Sequence, residues 1–153
     1  MVRLRKFFLL APTERRLFLQ AGTLLAAVRL GLFLLPFPTL CRFLVYLQRI
    51  LPSSTQFKAS CSNQVFWSVA TAGQYIPKAT CLSQALVVRM LLERAGIPCR
   101  LYIGVARDNS GGLEAHAWVE SQGQVFLGDV EPSGYTSLPG LMSVTGFNSM
   151  TFP

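Results

Sequence analysis

Gln122-Gly123, set between two β-rich runs, constrains this chain's fold more than any other feature. The runs belong to the segment GLEAHAWVESQGQVFLGD, residues 112–129. A two-residue turn with glycine second joins antiparallel strands and fixes their register, because side chains alternate with period two. Pairing starts at Ser121 with Gln124 and runs outward. It brings His116, the only histidine, opposite the carboxylate of Asp129 at cross-strand distance. A three-residue turn would instead set His116 against Gly128. Glu120 shares the strand face of His116, and Glu131 lies just beyond Asp129, so both compete to orient the imidazole.

The strand before the hairpin is predicted over Arg100 to Ala106, with Leu101, Ile103 and Val105 alternating against Tyr102 and Gly104. RDNSGG, residues 107–112, is a turn-rich connection. Ahead of that strand comes TCLSQALVVRMLLERAGIP, residues 80–98. Thr80 is an N-cap, and Gly96 followed by Ile97-Pro98 is a stop. Cys81, Ala85, Val88 and Leu92 fall on one helical face. Cys81 thus occupies the first turn, where free backbone N–H groups and the positive end of the helix dipole favour a thiolate. Cys41 and Cys99 read as buried core thiols, and Cys61 is undetermined. With no CxxC and one histidine, the chain has no zinc spacing, and its four cysteines suit a reducing, cytoplasmic compartment rather than a disulfide scaffold.

Charge divides the sequence. Residues 1–58 hold nine Lys/Arg against Glu14 alone, whereas residues 59–153 hold five bases and six acids. We therefore expect a basic, apolar helical region over 1–58, packing on the core or docking a partner, and a core domain over 59–153. Nothing resembles a nucleic-acid module. The apolar start MVRLRKFFLLA is too short for a signal peptide, and ERRLFLQAG, which imitates a twin-arginine signal, lacks a clean cleavage site downstream. Leu17 to Leu35 approaches the ~20 apolar residues of a membrane span, but Arg29 interrupts it. The reading is two helices, from an N-cap at Thr13 to about Leu35 and from about Thr39 to Leu51, separated by Pro36-Phe37-Pro38. Leu40, Phe43, Leu44 and Leu47 give the second an apolar face. Packing on the domain is preferred to docking a partner or a membrane surface. A linker at Pro52-Ser53-Ser54-Thr55 and a third helix from Ser62 to Ala72 follow, with Gly73 as its stop. Apolar residues at 51% and charged residues at 14% exclude a disordered chain.

A nucleophile at a helix start, a base on a strand and an acid on the next strand form the set that cysteine-based acyl transfer needs. TCLSQALVVRMLLERAGIPCRLYIGVA, followed by EAHAWVE and GQVFLGD, resembles the transglutaminase-like cysteine peptidases of lasso peptide biosynthesis, the B2-type leader peptidases. The resemblance covers about Ile76 to Leu138. It implies an α+β, papain/transglutaminase-like core, with the Cys81 helix packed on an antiparallel sheet and apolar helices in front. It implies Cys81 as nucleophile, His116 as base and Asp129 as orienter. Many members carry an Asn-Asp pair one residue closer to the histidine, where this chain has Gly128-Asp129, and Glu131 is the fallback. The activity implied is removal of the leader from a lasso precursor peptide, with no cofactor. The implied partners are a separate leader-binding protein, since this chain is too short to add one, and the ATP-dependent cyclase that closes the ring. The Cys81 N–H is one oxyanion donor; Gln74 and Gln84 are candidates for the second. The rivals are an acyl transferase of transglutaminase type and a non-catalytic scaffold of the maturation complex.

Overall fold

The computed structural model describes residues 11–50, 62–77, 79–107, 111–126 and 136–137. Among the described residues four helices precede a four-stranded antiparallel sheet: α1 (Pro12–Leu34), α2 (Phe37–Ile50), α3 (Ser62–Gly73), α4 (Cys81–Arg94), then β1 (Arg100–Arg107), β2 (Leu113–Ser121), β3 (Gln124–Phe126) and β4 (Thr136–Ser137). The strand order is β3-β2-β1-β4. This is the expected α+β arrangement, with an apolar helix leading it.

Proline sets the start of both leading helices. α1 begins at Pro12, not after Thr13: proline needs no N–H partner in the first turn, and the Glu14 carboxylate accepts the Ala11 N–H at 3.0 Å. For the same reason Pro38 does not delay α2 to Thr39; it lies in the first turn of a helix that opens at Phe37. Leu35 and Pro36 form the corner between them. Gly31 makes that corner tight, for a Cβ there would come 2.6 Å from a Leu40 methyl. α1 buries Leu17, Ala21, Leu25 and Val28, the i, i+4, i+8, i+11 stripe, against α3 and α4. Among the described residues it is also the one helix long and apolar enough to cross a bilayer.

α4 is the centre of the molecule. Its sequence suggests one apolar face, yet Ser83 and every residue from Ala85 to Leu92 are buried, because α1 and α3 cover it on one side and β1 and β2 on the other. Even Arg89 is fully buried. Its Nε donates to the Glu93 carboxylate at 2.9 Å, and Gln48 of α2 donates to the other Glu93 oxygen at 3.1 Å. α4 ends in a Schellman turn: Gly96 takes φ +71°, its N–H bonds the Glu93 carbonyl and the Ile97 N–H bonds that of Leu92. One apolar core runs from Leu17 on α1 through α2, α3 and α4 to Leu101 and Val119 in the sheet.

The hairpin has the expected register. Ser121 pairs with Gln124, Glu120 with Val125 and Val119 with Phe126. Gln122 and Gly123 both take positive φ, 53° and 75°, as a type I′ turn requires. The continuation toward Asp129 lies outside the described residues, as do Glu131, Cys61 and the 52–55 linker.

Candidate active site

Cys81 is the first residue of α4. Thr80 holds extended backbone ahead of it, and its hydroxyl accepts the Ser83 N–H at 3.4 Å. Its carbonyl takes the Gln84 N–H at 3.1 Å and the Ser83 hydroxyl at 2.8 Å. This capping uses the amides of Ser83 and Gln84 and leaves those of Cys81 and Leu82 at the open end of the helix, where an anion is favoured. The Cys81 side chain is half-buried and packs against the core edge, in contrast to Cys41 and Cys99, which lie in the interior. Burial pushes the Cys41 thiol up to about 11, the Arg89 charge opposing it. Burial, with the nearby Glu93 charge adding to it, pushes Cys99 up to about 12. Both are poor nucleophiles at neutral pH, as their sequence reading as core thiols implies.

His116 lies on β2, which packs against α4. Its cross-strand neighbour on β1 is Gly104, so no side chain stands directly opposite the imidazole on that strand. The ring is half-buried, its Nε2 is enclosed, and it stacks on Trp118 with centroids 6.4 Å apart at 16°. Trp118 stacks in turn on Tyr102 of β1, 5.6 Å away at 15°. The three rings form a ladder that the register explains, because Tyr102 is the cross-strand partner of Trp118. In the sequence this ladder is signalled only by the period-two spacing of Trp118 from His116. Pleat alternation sets this ladder on one sheet face and Ala117 and Val119, which join the helix-packed core, on the other.

The carboxylate competitors separate by geometry. Glu120 is four residues from His116 along one strand, about 13 Å at strand rise, with Trp118 between them, and it faces Arg100 across β1. It cannot orient the imidazole. Asp129 and Glu131 fall outside the described residues. Of the glutamines, Gln74 lies exposed in the turn after α3, whereas the Gln84 amide lies over Gly73, where a Cβ would meet its Nε2 at 3.0 Å. No cluster of three or more potential metal ligands occurs among the described residues.

Residues 24–140 match the family described as the transglutaminase-like superfamily. The chain belongs to this superfamily. No curated protein and no solved structure matches it. The superfamily includes cysteine peptidases and acyltransferases. In this transglutaminase-like chain the match begins within α1 and takes in α4, β1 and β2, the elements that carry Cys81 and His116.

Proposed function

We propose that this chain is a cytoplasmic cysteine peptidase that removes the leader segment from a lasso precursor peptide, working with a separate leader-binding protein. The observation that carries the reading is the half-buried thiol of Cys81 at the capped start of α4, a helix that packs on the Ala117/Val119 face of β2, the strand that bears His116 on its other face. The superfamily match and the likeness of AHAWVE and the CL motif to the leader peptidases support it.

In this mechanism His116 takes the proton from Cys81, and Asp129 holds the imidazole tautomer. The sulfur attacks the carbonyl at the leader–core junction, and the developing oxyanion is received by the Cys81 amide. His116 returns the proton to the departing amine, which becomes the N-terminus of the core peptide. Water then hydrolyses the thioester, with His116 as general base, and the leader leaves as a carboxylate.

The test mixes the protein, the leader-binding partner and the precursor, and weighs the products. Cleavage into leader acid and core amine is expected. It should be abolished by Cys81→Ala and His116→Ala, and reduced by a smaller factor in Asp129→Asn. Processing by the Cys81→Ala variant would refute the assignment. A product joined to an added amine, with loss of ammonia or of the core peptide, would mark an acyl transferase instead.

A further inference from the structure

The helical region leaves a second apolar surface that the core does not use. On α1, the side opposite the Leu17–Val28 stripe exposes Leu19, Leu30, Phe33 and Leu34, with Phe33 84% accessible. The polar residue within that stripe, Thr23, has its hydroxyl donating to the Leu19 carbonyl at 2.9 Å, so it presents little unmet hydrogen-bonding capacity. α2 repeats the pattern: Leu40, Cys41 and Leu44 are buried, and Phe43, Tyr46 and Ile50 are at least half exposed on its other side. These side chains are too many and too large to be the scattered surface apolar residues of an ordinary domain.

The charge around them has one sign. Residues 11–50 contain five arginines and one acid, Glu14, whose carboxylate is engaged in capping α1. Arg16 and Arg42 are exposed beside the two stripes. An open depression of about 430 Å³ runs along α1, lined by Pro12, Arg15, Arg16, Leu19, Gln20 and Thr23, and it joins the guanidinium pair to the start of the apolar stripe.

We propose that α1 and α2 dock this protein on an anionic phospholipid surface, with the large apolar side chains sunk to the acyl boundary and the arginines at the phosphates. Helices with an exposed apolar face and a basic margin bind in this way, by apolar burial plus attraction to anionic lipid. α1 does not span the bilayer in this arrangement, because Leu17, Ala21, Leu25 and Val28 hold it against α3 and α4. A second copy of the chain is a poorer occupant. Self-pairing of the same face would bring Arg16 and Arg42 toward arginines of their own kind.

The test is co-sedimentation of the full chain with vesicles of phosphatidylcholine alone and of phosphatidylcholine mixed with phosphatidylglycerol. Binding to the anionic vesicles is expected, with little to the neutral ones. Phe33→Ser combined with Leu34→Ser should weaken it on the order of tenfold or more, the loss of two buried apolar side chains. Arg42→Glu should weaken it in a salt-dependent way, and 1 M salt, which shortens the screening length to about 3 Å, should weaken the parent protein. All these residues are exposed, so circular dichroism should show each variant folded. Equal binding to both vesicle types, or none to either, would overturn the proposal. So would a dimer in light scattering that the Phe33→Ser/Leu34→Ser variant abolishes, or a soluble protein partner captured by this face in place of lipid. None of these results bears on cleavage by Cys81, which is measured in solution without vesicles.

Discussion

Alkylation kinetics put the assignment of the nucleophile to a direct test. Cys41 is fully buried and Cys99 is 6% accessible, and their thiols are pushed up to about 11 and about 12. At pH 7 a thiol of pKa about 11 is thiolate in roughly one molecule in ten thousand, and one of about 12 in a tenth of that. An ordinary exposed thiol, ionising near 8.5, is about 3% thiolate at the same pH. Ionisation alone therefore sets the two core cysteines about two and a half to three and a half decades below a free reference thiol, and steric closure lowers them further. Cys81, half-buried at an open helix start, should react with iodoacetamide at least as fast as free glutathione and about a hundredfold or more faster than Cys41 or Cys99. Mass mapping of peptides after timed quenching separates the sites, including Cys61. His116→Ala should slow Cys81 and change the pH profile of its rate while leaving Cys41 and Cys99 as they were. A Cys81 that labels no faster than the core thiols, or that ignores the His116 substitution across the pH range, would refute the pairing on which the proposed mechanism stands.

Three further outcomes follow from the packing. Glu93→Ala strands the fully buried Arg89 without its carboxylate and removes the acceptor of Gln48, so unfolding free energy should drop by about 3–5 kcal/mol in urea titration; a loss near zero would mean that Arg89 finds water or another acceptor. Gly96→Ala forces a Cβ into the left-handed region at φ +71° and should cost about 1–2 kcal/mol, with α4 still helical by circular dichroism. Because burial holds Cys41 and Cys99 neutral when folded, above the ordinary thiol value of 9.0, the stability they contribute is complete below about pH 9 and declines as pH rises through about 11 and 12. The alkaline stability loss should therefore be smaller in a Cys41→Ala/Cys99→Ala double variant, compared with its own value at pH 7.

Much of this architecture was legible because local chemistry and tertiary packing agree. Thr80 and Gly96 bound α4 within a residue, since cap and left-handed stop act through backbone geometry alone. The Gln122-Gly123 turn set the β2–β3 register for the same reason. What the sequence hid depends on neighbours. The apolar periodicity of α4 gave one face, while its burial all round, with Arg89 inside, arises from helices and strands closing over it. Reading proline as a breaker puts the start of α2 two residues late, because proline is tolerated in the first turn of a helix. The leading helices were expected to spend their apolar surface on the core, and they do so along one stripe each, leaving Phe33 and Tyr46 outside. At the candidate site, the cap at Thr80 puts Cys81 at a helix start and the alternating pattern puts His116 on a strand, and both residues lie there. The Trp118–Tyr102 ladder needed the pairing of β1 with β2, which no turn signal announces.

The sheathing of α4 ties chemistry to survival of the whole molecule. From Ala85 to Leu92 the rod that begins with Cys81 has no surface of its own, so nothing short of general collapse can loosen it. Partial melting at the periphery should spare the thiol's setting, and once the rod itself lets go there is no remnant on which a nucleophile could be presented. Loss of turnover and loss of helical signal should coincide on one denaturation curve.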